Sequence, residues 1–496
     1  MLMGESLAAL LLVCRQWRSV AISNPRLWSR IAVTNYDRPA IRLQGAVICH
    51  NVDYLRLVLS RSQASPLQIE FGYNVDSTSV DGTSSSQPST LRYWRQVYEN
   101  REEAMSLIFD NEVLRRWTNI ILGSFATFLT CDGWQRRVKN MTILPLLSSL
   151  DIKTDSDDRG RHYIQSLINV SPSLRHIRGS NRGRGPDHLG AGMWTRRIES
   201  YGWLHYNKPC HLLRESPSLR ELGIVYRPAV ALTLPALQVL RWRLFTYSEL
   251  PLITAPQLHT LITSYASSKE RFLASSITLP NLRVAVHTQI PDLVILHRFQ
   301  APALEHLSIQ SETQEPTALS KLYDGSAHMP TPKSLHLECA FTDEALLVVL
   351  DRLPWLEELQ IAGTLIKDAF WKGFTTSDKS EYQVCLPQSH PGDHANHILA
   401  PNLKNLLINY STYIMYASPT HHTRGWGRWT RQRLAALAWV SSHLSYGEEY
   451  TVKQASAAVA AREQAGCPLE TLACFFPRQT VKVLIGNPYT LPQRPK

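Results

Sequence analysis

The chain has 496 residues, of which 44% are hydrophobic, and its formal net charge is +11. This length excludes a single minimal domain, so the chain forms either several domains or one extended repeat array. Its eight cysteines form no CxxC pair, which argues against a disulfide framework and against a zinc site. The densest basic stretches, 174–186 and 424–433, match no nucleic-acid-binding motif, so the charge does not predict a nucleic-acid partner.

The first residues are apolar but do not predict an export signal or a membrane span. Glu5 precedes the apolar run 7–14 and no Lys or Arg does, whereas a secretory signal begins with a positive stretch. A helix of this length covers about 12 Å, against about 30 Å for a bilayer core. No later stretch is long and apolar enough to span a membrane. We therefore expect an intracellular protein, cytoplasmic or nuclear, with no membrane partner.

The run VCRQWRSVAISNPRLW (13–28) predicts a helix, a short turn and a second helix that begins at Pro25. Val13 and Val20 lie one turn to either side of Trp17 on the first helix. Because both neighbours are apolar, we expect the side chain of Trp17 to be part of a core.

Residues 35–143 are interpreted as degenerate first repeats. Residues 51–71 combine a helix pattern, a polar turn and the strand-like PLQIEF, and RRWTNIILG (115–123) predicts another strand. Between them, the stretch 76–90 is rich in Ser and Thr and predicts a polar loop.

One phrase recurs along the rest of the chain. In copies such as SPSLRELGI (216–224) and LPWLEELQI (353–361), a proline turn precedes the pattern Leu-x-x-Leu-x-Ile. The alternation of its last apolar positions is typical of a short half-buried strand. The closer copies have a period near 22 residues, and RRIESYGWL (196–204) is a degenerate copy inside a wider gap. The prolines of the phrase are residues 145, 172, 217, 235, 256, 280, 302, 332, 354, 401 and 468.

Several of these strands are preceded by a helix pattern. In FTDEALLVVLDRLPWLEELQI, Thr342 can cap a helix with two acidic residues in its first turn, and Pro354 ends that helix. Near the end of the chain, 430–444 and 451–466 predict two more helices, the second with Gly466 as its C-terminal cap. The predicted unit is therefore helix, proline turn and strand.

Such a unit cannot bury its own apolar face, but stacked parallel copies form a continuous core. The predicted fold is thus α/β, a solenoid of parallel short strands plus helices over 144–487, with a tail at 488–496. The pattern resembles leucine-rich repeats. Their consensus Asn or Cys after the strand is replaced here by Thr364, Glu312, Arg227 or Ser411, which argues against a regular polar ladder. A compact α/β domain of unrelated strands is the alternative.

The run VCRQWRSVAISNPRLWSRI resembles the second half of an F-box, which would here occupy residues 1–34. An F-box followed by irregular leucine-rich repeats is the arrangement of fungal F-box-like proteins, and phrases such as SRSQASPLQIEF and APALEHLSI resemble theirs. The resemblance implies a helical module that docks on the Skp adaptor of a cullin-RING ubiquitin ligase. Its docking residues would be Val13, Cys14, Trp17, Pro25, Leu27 and Trp28. Within this set we expect the partly surface-facing Cys14 and Leu27 to matter more for docking than Trp17.

The resemblance implies a substrate-recognition adaptor of an SCF-type ubiquitin ligase that binds a target protein through the solenoid. An F-box usually begins with a Leu-Pro-x-Glu segment and a first helix. Here only MLMGES precedes the apolar stretch that leads into the matching run, so we expect weakened binding to the adaptor and cullin. The competing interpretation is a protein-binding scaffold with no ligase link, whose first helices cap the solenoid. The strand positions expected to face the target are Val239, Arg241, His306, Ser308, Glu358 and Gln360.

The sequence does not predict an enzyme. It contains no GxxxxGK[ST] phosphate loop, no GxSxG elbow and no HExxH motif. His390, His394 and His397 lie in SHPGDHANH, where Pro and Gly predict a loop, so we interpret them as solvated rather than as metal ligands. We therefore expect no metal, no cofactor and no catalytic residue in this chain.

Overall fold

The structure is a computed structural model. Its described residues form two compact units, one of residues 1–242 with 252–255, the other of residues 243–251 with 256–496. In each, strands outnumber helices and pair mainly in parallel, so the chain is an α/β protein, as the sequence predicts. The domain boundaries proposed at residues 34, 143 and 487 stay predictions. The structure describes residues 12, 14–33, 46–49, 52–71, 103–122, 143–152, 158–179, 195–204, 213–225, 231–244, 253–265, 277–288, 299–310, 332–338, 343–362, 366, 368–375, 399–409, 453–475 and 481–485.

The first unit contains a parallel sheet whose strands follow chain order from β3 onward, with β1 between β2 and β3. The strands are β1 (Arg30–Val33), β2 (Val47–Cys49), β3 (Leu67–Phe71), β4 (Trp117–Leu122), β5 (Ser149–Ile152), β6 (His176–Gly179), β7 (Ser200–Leu204), β8 (Glu221–Ile224), β9 (Leu232–Thr233), β10 (Val239–Leu244) and β11 (Ile253–Thr254). β1 pairs with β2 and β3, and the ladder continues through β4, β5, β6, β7 and β8 to β10. β9 and β11 form a separate parallel pair. The degenerate copy at 196–204 is confirmed as a strand of this ladder.

The second unit repeats this arrangement. Its strands are β12 (Thr260–Tyr265), β13 (Ile277–Thr278), β14 (Val284–Thr288), β15 (Phe299–Gln300), β16 (His306–Gln310), β17 (Ser334–Glu338), β18 (Glu358–Ala362), β19 (Asn405–Asn409), β20 (Thr471–Phe475) and β21 (Val481–Ile485). β12, β14, β16, β17, β18, β19 and β20 pair in parallel in that order, and β21 is antiparallel to β20. β13 pairs with β15.

The repeated leucine of the phrase forms the core of the second unit. The parallel register places the second residue of each main strand side by side, and every residue in this row is buried. The first and third residues face the opposite side because side chains alternate along a strand. The sequence-based core is therefore confirmed in this row: Leu261, Ala285, Leu307, Leu335, Leu359, Leu406 and Leu472.

A polar pair lies inside this core, two positions further along the strands. Thr263 and His287 are adjacent on β12 and β14, with the threonine Oγ1 2.7 Å from Nδ1 of the histidine. Burial lowers the pKa of His287 from 6.5 to about 4, so the imidazole is neutral at neutral pH. The next strands have Ile309 and Leu337 at this position, so this part of the core becomes fully apolar there.

Within the described ranges, helices come before some of the strands. Their bounds are α1 (Arg15–Ser23), α2 (Val52–Ser62), α3 (103–108), α4 (Asn111–Leu114), α5 (Asp158–Asn169), α6 (Asp343–Arg352), α7 (Asp368–Thr375) and α8 (453–464). The predicted helix–turn–strand unit is thus correct for β3, β6, β18 and β20, and the strand predicted at 115–123 is β4.

For β10, β12, β14 and β16 that unit is wrong. The two-residue strands β9, β11, β13 and β15, rather than helices, come directly before their proline turns. Each two-residue strand carries a β-branched or aromatic residue, which favours extended backbone.

A polar ladder joins successive repeats at the proline turns. Nδ2 of Asn281 donates to the carbonyl oxygen of Pro256 at 2.8 Å, and Nδ2 of Asn402 donates to that of Pro354 at 2.9 Å. In the first unit the hydroxyl of Ser173 donates to the carbonyl of Pro145. The four positions where the sequence argued against a ladder lie outside the described residues, and this ladder lies at the other end of the strands.

The N-terminal segment forms α1, as predicted, followed by a single 3-10 turn over Pro25–Trp28 in place of a full second helix. Trp28 is buried, its indole N–H donates to the carbonyl of Ala21 at 2.7 Å, and the guanidinium of Arg61 on α2 lies 4.6 Å from its ring centre. Trp28 therefore fixes α1 to α2.

Two long-range contacts stabilise the last helices. The carboxylate of Asp343, at the start of α6, accepts from the backbone N–H of Phe370 in the first turn of α7, at 2.9 Å. The guanidinium of Arg462 on α8 is buried and donates to the carbonyls of Leu399 and Ala400 at 2.8 and 2.9 Å. These contacts place charged groups on helix ends and turns that need hydrogen-bond partners.

The predicted end of α8 is confirmed. Gly466 has φ +74°, and the N–H of Cys467 donates to the carbonyl of Arg462 at 2.9 Å, as in a Schellman cap. The predicted helix at 430–444 and the loop at 76–90 lie outside the described residues. None of the helices in the described part of the chain is long and apolar enough to cross a bilayer.

Candidate functional site

The outward side of three neighbouring strands in the second unit forms a polar surface, the β16–β18 face. Its side chains form three rows across the strands, set by the parallel register. The hydroxyl of Ser308 lies 3.2 Å from Nδ1 of His336 across one strand pair. The residues of this face are exposed or half-buried: His306, Ser308, Gln310, Ser334, His336, Glu338, Glu358 and Gln360.

Four of the predicted target-facing residues belong to the β16–β18 face, namely His306, Ser308, Glu358 and Gln360. Their outward orientation agrees with the prediction; their role in binding stays a prediction. The sequence reasoning missed His336, which stands between Ser308 and Gln360. The phrase TPKSLHLE carried the signal, because His336 alternates with two buried leucines.

The other two predicted residues lie in the first unit. Val239 is half-buried and Arg241 is exposed on β10, next to Glu221 and Gly223 of β8. The structure therefore divides the predicted target-facing residues between two units.

A cleft of about 370 Å³ lies where β17, β18 and β19 begin. It is lined by Lys333, Trp355, Glu357, Asn402 and Lys404. Nζ of Lys404 is 3.1 Å from a carboxylate oxygen of Glu357, and Nζ of Lys333 is 4.0 Å from the other oxygen. Two ammonium groups thus share one carboxylate, so the ionised side chains of the cleft carry a net positive charge. We call this feature the Trp355 cleft.

The three charges of the cleft belong to a longer alternating row. From β14 onward, the charge of the residue directly before each main strand changes sign from one strand to the next. Opposite charges on adjacent strands attract, whereas like charges side by side would destabilise the pairing. From β14 to β20 this row is Arg283, Glu305, Lys333, Glu357, Lys404 and Glu470.

The N-terminal helix exposes the tryptophan that the sequence reasoning placed in a core. Trp17 is 53% exposed and Val20 is similarly exposed, so the prediction of a core role for Trp17 was wrong. α1 buries Ala21 instead, because that side of the helix contacts Trp28. Trp17 and Val20 are three residues apart and share a helix face.

The other predicted docking residues of this segment differ in exposure. Cys14 is exposed and caps α1, its sulfur accepting from the N–H of Trp17, while Pro25 and Leu27 are half-buried. Trp28 is 1% exposed and is a packing residue. Val13 lies outside the described residues. The large apolar side chains that this segment exposes to a partner are therefore those of Leu12, Trp17, Val20 and Ile22.

Within the described ranges, no group of three or more His, Cys, Asp or Glu side chains is placed to hold a metal ion. The His390, His394 and His397 loop lies outside those ranges.

Comparison with known proteins gives no family. No protein-family model matches the chain, and no curated protein is similar to it. Among solved structures, the chain is similar to a Bacteroides fragilis protein determined as a structural genomics target, with 13% identity and a TM-score of 0.29. The match covers 57% of this chain and 74% of that one. So low a TM-score carries no argument about function.

Proposed function

We propose that this chain is a non-enzymatic adaptor that binds a target protein through a leucine-rich-repeat-like solenoid. The observation that carries this proposal is the β16–β18 face. Its eight polar side chains lie in register on strands whose opposite side is a continuous apolar core. A rigid sheet that presents polar groups in fixed rows suits recognition of a protein surface.

The proposal extends to the N-terminal segment, interpreted as a partial F-box that docks on the Skp adaptor of a cullin-RING ubiquitin ligase. The exposed Trp17 and Val20 on α1 support it, because about half of the Trp17 side chain remains in solvent and tryptophan is enriched at interface hot spots. In this proposal the target is presented for ubiquitination in the cytoplasm or nucleus.

The two tryptophans of this segment provide a matched test. In Trp17→Ala, we expect affinity for a purified Skp adaptor, measured by calorimetry, to fall about thirtyfold, with an unchanged urea midpoint. In Trp28→Ala, we expect the free energy of unfolding to fall by about 3–5 kcal/mol, because a buried indole is removed. Trp28 thus reports on folding and Trp17 on docking.

The alternative is a scaffold with no ligase link, in which α1 only caps the repeats. The packing of Trp28 against α2 favours this role for part of the segment. No measurable binding of the adaptor to the wild-type chain would remove the ligase link and leave the scaffold. Equal binding by wild type and Trp17→Ala would show that docking does not use α1.

A further inference from the structure

The Trp355 cleft contains a tryptophan that the fold does not require. Trp355 is 37% exposed and directly follows the proline of its turn. Other repeats place Ala236, Ala303 or Asn402 at the same turn position, so the turn forms with small or polar side chains there. An exposed indole at a position that accepts alanine is explained by contact with another molecule better than by folding.

The charges beside Trp355 define the chemistry of that contact. Glu357 is held by Lys404 at 3.1 Å and lies at 4.0 Å from Lys333, whose side chain is 67% exposed. The ammonium group of Lys333 can therefore accept a further carboxylate without breaking the closer pair. Each exposed ion pair is worth little alone, but a cleft that also buries an apolar group strengthens it.

We propose that the Trp355 cleft binds a peptide segment of the target protein in which an acidic residue lies next to an apolar one. The carboxylate pairs with Lys333 and the apolar side chain covers the indole of Trp355. This inference rests on the proposed function, since it assigns part of target recognition to the edge where β17, β18 and β19 begin.

Two other occupants fit the cleft less well. An arginine of a partner could stack on Trp355, but the ammonium groups of Lys333 and Lys404 would repel it. A single-stranded nucleic acid could stack a base on Trp355, but Glu357 lies between the two lysines and would repel its phosphates. Charge complementarity therefore favours the acidic peptide.

The test uses fluorescent octapeptides of Gly and Ser that carry one central pair: Glu-Leu, Glu-Ala, Lys-Leu or Lys-Ala. Fluorescence anisotropy with the full-length chain should rank Glu-Leu first. Trp355→Ala should weaken Glu-Leu binding about thirtyfold. Lys333→Glu should reverse the charge preference, so that Lys-Leu binds better than Glu-Leu.

Two variants serve as matched controls. Leu146→Ala removes an exposed apolar side chain from the equivalent turn position after Pro145, and Lys453→Glu makes the same charge change on the exposed start of α8. Both should bind Glu-Leu as wild type does. Because Ala303 occupies the same turn position as Trp355, the Trp355→Ala chain should keep its urea midpoint. If that variant does not fold, the reversed charge preference of Lys333→Glu tests the inference by itself.

Several results would overturn the inference. The first two are equal affinity of the wild type for Glu-Leu and Lys-Leu, and equal affinity of the wild type and Trp355→Ala for Glu-Leu. The others are displacement of the peptide by a thymidine oligonucleotide, and self-association of the chain that Trp355→Ala abolishes. Adaptor binding, measured in parallel, should be unchanged by the cleft variants. If the peptides do not bind but adaptor binding still depends on Trp17, only the inference about the Trp355 cleft is rejected. If the adaptor does not bind, the result counts against the proposed function.

Discussion

Two repeats of the second unit share a proline turn followed by a strand, but different elements come before the turn. In residues 343–362, the helix-backed repeat, α6 buries five apolar side chains and precedes β18. In residues 277–288, the strand-backed repeat, the two residues of β13 come directly before the turn that leads to β14. The inward residues of β18 are Leu359 and Ile361, and those of β14 are Ala285 and His287.

The difference holds for these two repeats and not for every strand, because β16, which follows the two-residue β15, buries Leu307 and Ile309. A ten-residue helix supplies a layer of apolar side chains that only large aliphatic residues can match. In the strand-backed repeat, a small residue, Ala285, and the polar pair of Thr263 and His287 occupy the inward positions. The helix-backed repeat should therefore resist changes of pH and respond most to cavities, while the strand-backed repeat should respond to pH.

The largest effect is expected from removing a helix-backed core residue. Leu350 on α6 is 1% exposed, so Leu350→Ala should lower the free energy of unfolding by about 4 kcal/mol through lost burial and a cavity. Val348→Ala, half-buried on the same helix, is the control and should cost about 1 kcal/mol or less. Urea denaturation measures both. Equal costs would show that α6 contributes no core.

The strand-backed repeat should lose stability in acid. The pKa of His287 is about 4 in the folded chain because the imidazole is buried, against 6.5 for an exposed histidine. Above pH 6.5 both states are neutral and the group has no effect; between pH 6.5 and 4 only the unfolded state gains the proton, so stability falls as pH falls. The loss should reach roughly 3 kcal/mol near pH 4 and not grow below it.

The measurement for His287 is the slope of unfolding free energy against pH, from urea titrations between pH 4 and 8. Asn at position 287 can still form a hydrogen bond with Thr263 but does not titrate. In His287→Asn, that slope should therefore be smaller, by an amount that corresponds to the uptake of at most one proton on unfolding. An unchanged slope would mean that the imidazole is already protonated in the folded chain.

The smallest effect concerns the proline-turn ladder, which both regions share. Asn281→Ala and Asn402→Ala each remove one exposed hydrogen bond to a proline carbonyl, and each should cost about 0.5–1 kcal/mol. Gln257→Ala, at the exposed equivalent position of another turn, is the control. A clearly larger cost for Asn281 than for Asn402 would show that the turn depends on the segment behind it.

Sequence reasoning predicted the rows of the sheet better than the segments between them. The inward row that contains Leu307 and Leu359 follows directly from the period-2 alternation of the phrase, so it could be predicted. The strands β13 and β15 could not, because two residues carry no period. Their segments differ from α6 in proline and β-branched content rather than in hydrophobicity.

The candidate surfaces were predicted in the same uneven way. The outward positions of β16 and β18 were predicted, since they alternate with the buried leucines. The Trp355 cleft was missed, because it forms from the residues that precede three strands distant in sequence. Each of these residues is unremarkable in its own repeat, and only the parallel register places Lys333 and Lys404 on either side of Glu357.

By itself, the sequence determined the α/β class, the proline turns and the buried leucine row, because these depend on local spacing that every copy repeats. Tertiary structure alone decided which tryptophan of the N-terminal segment is buried, since Trp28 meets Arg61 of α2 while Trp17 meets no such partner among the described residues. It also decided that Arg462 is buried on carbonyls some 62 residues earlier in the chain. Contacts of that kind depend on how distant elements pack, and the pattern of a single segment does not contain that information.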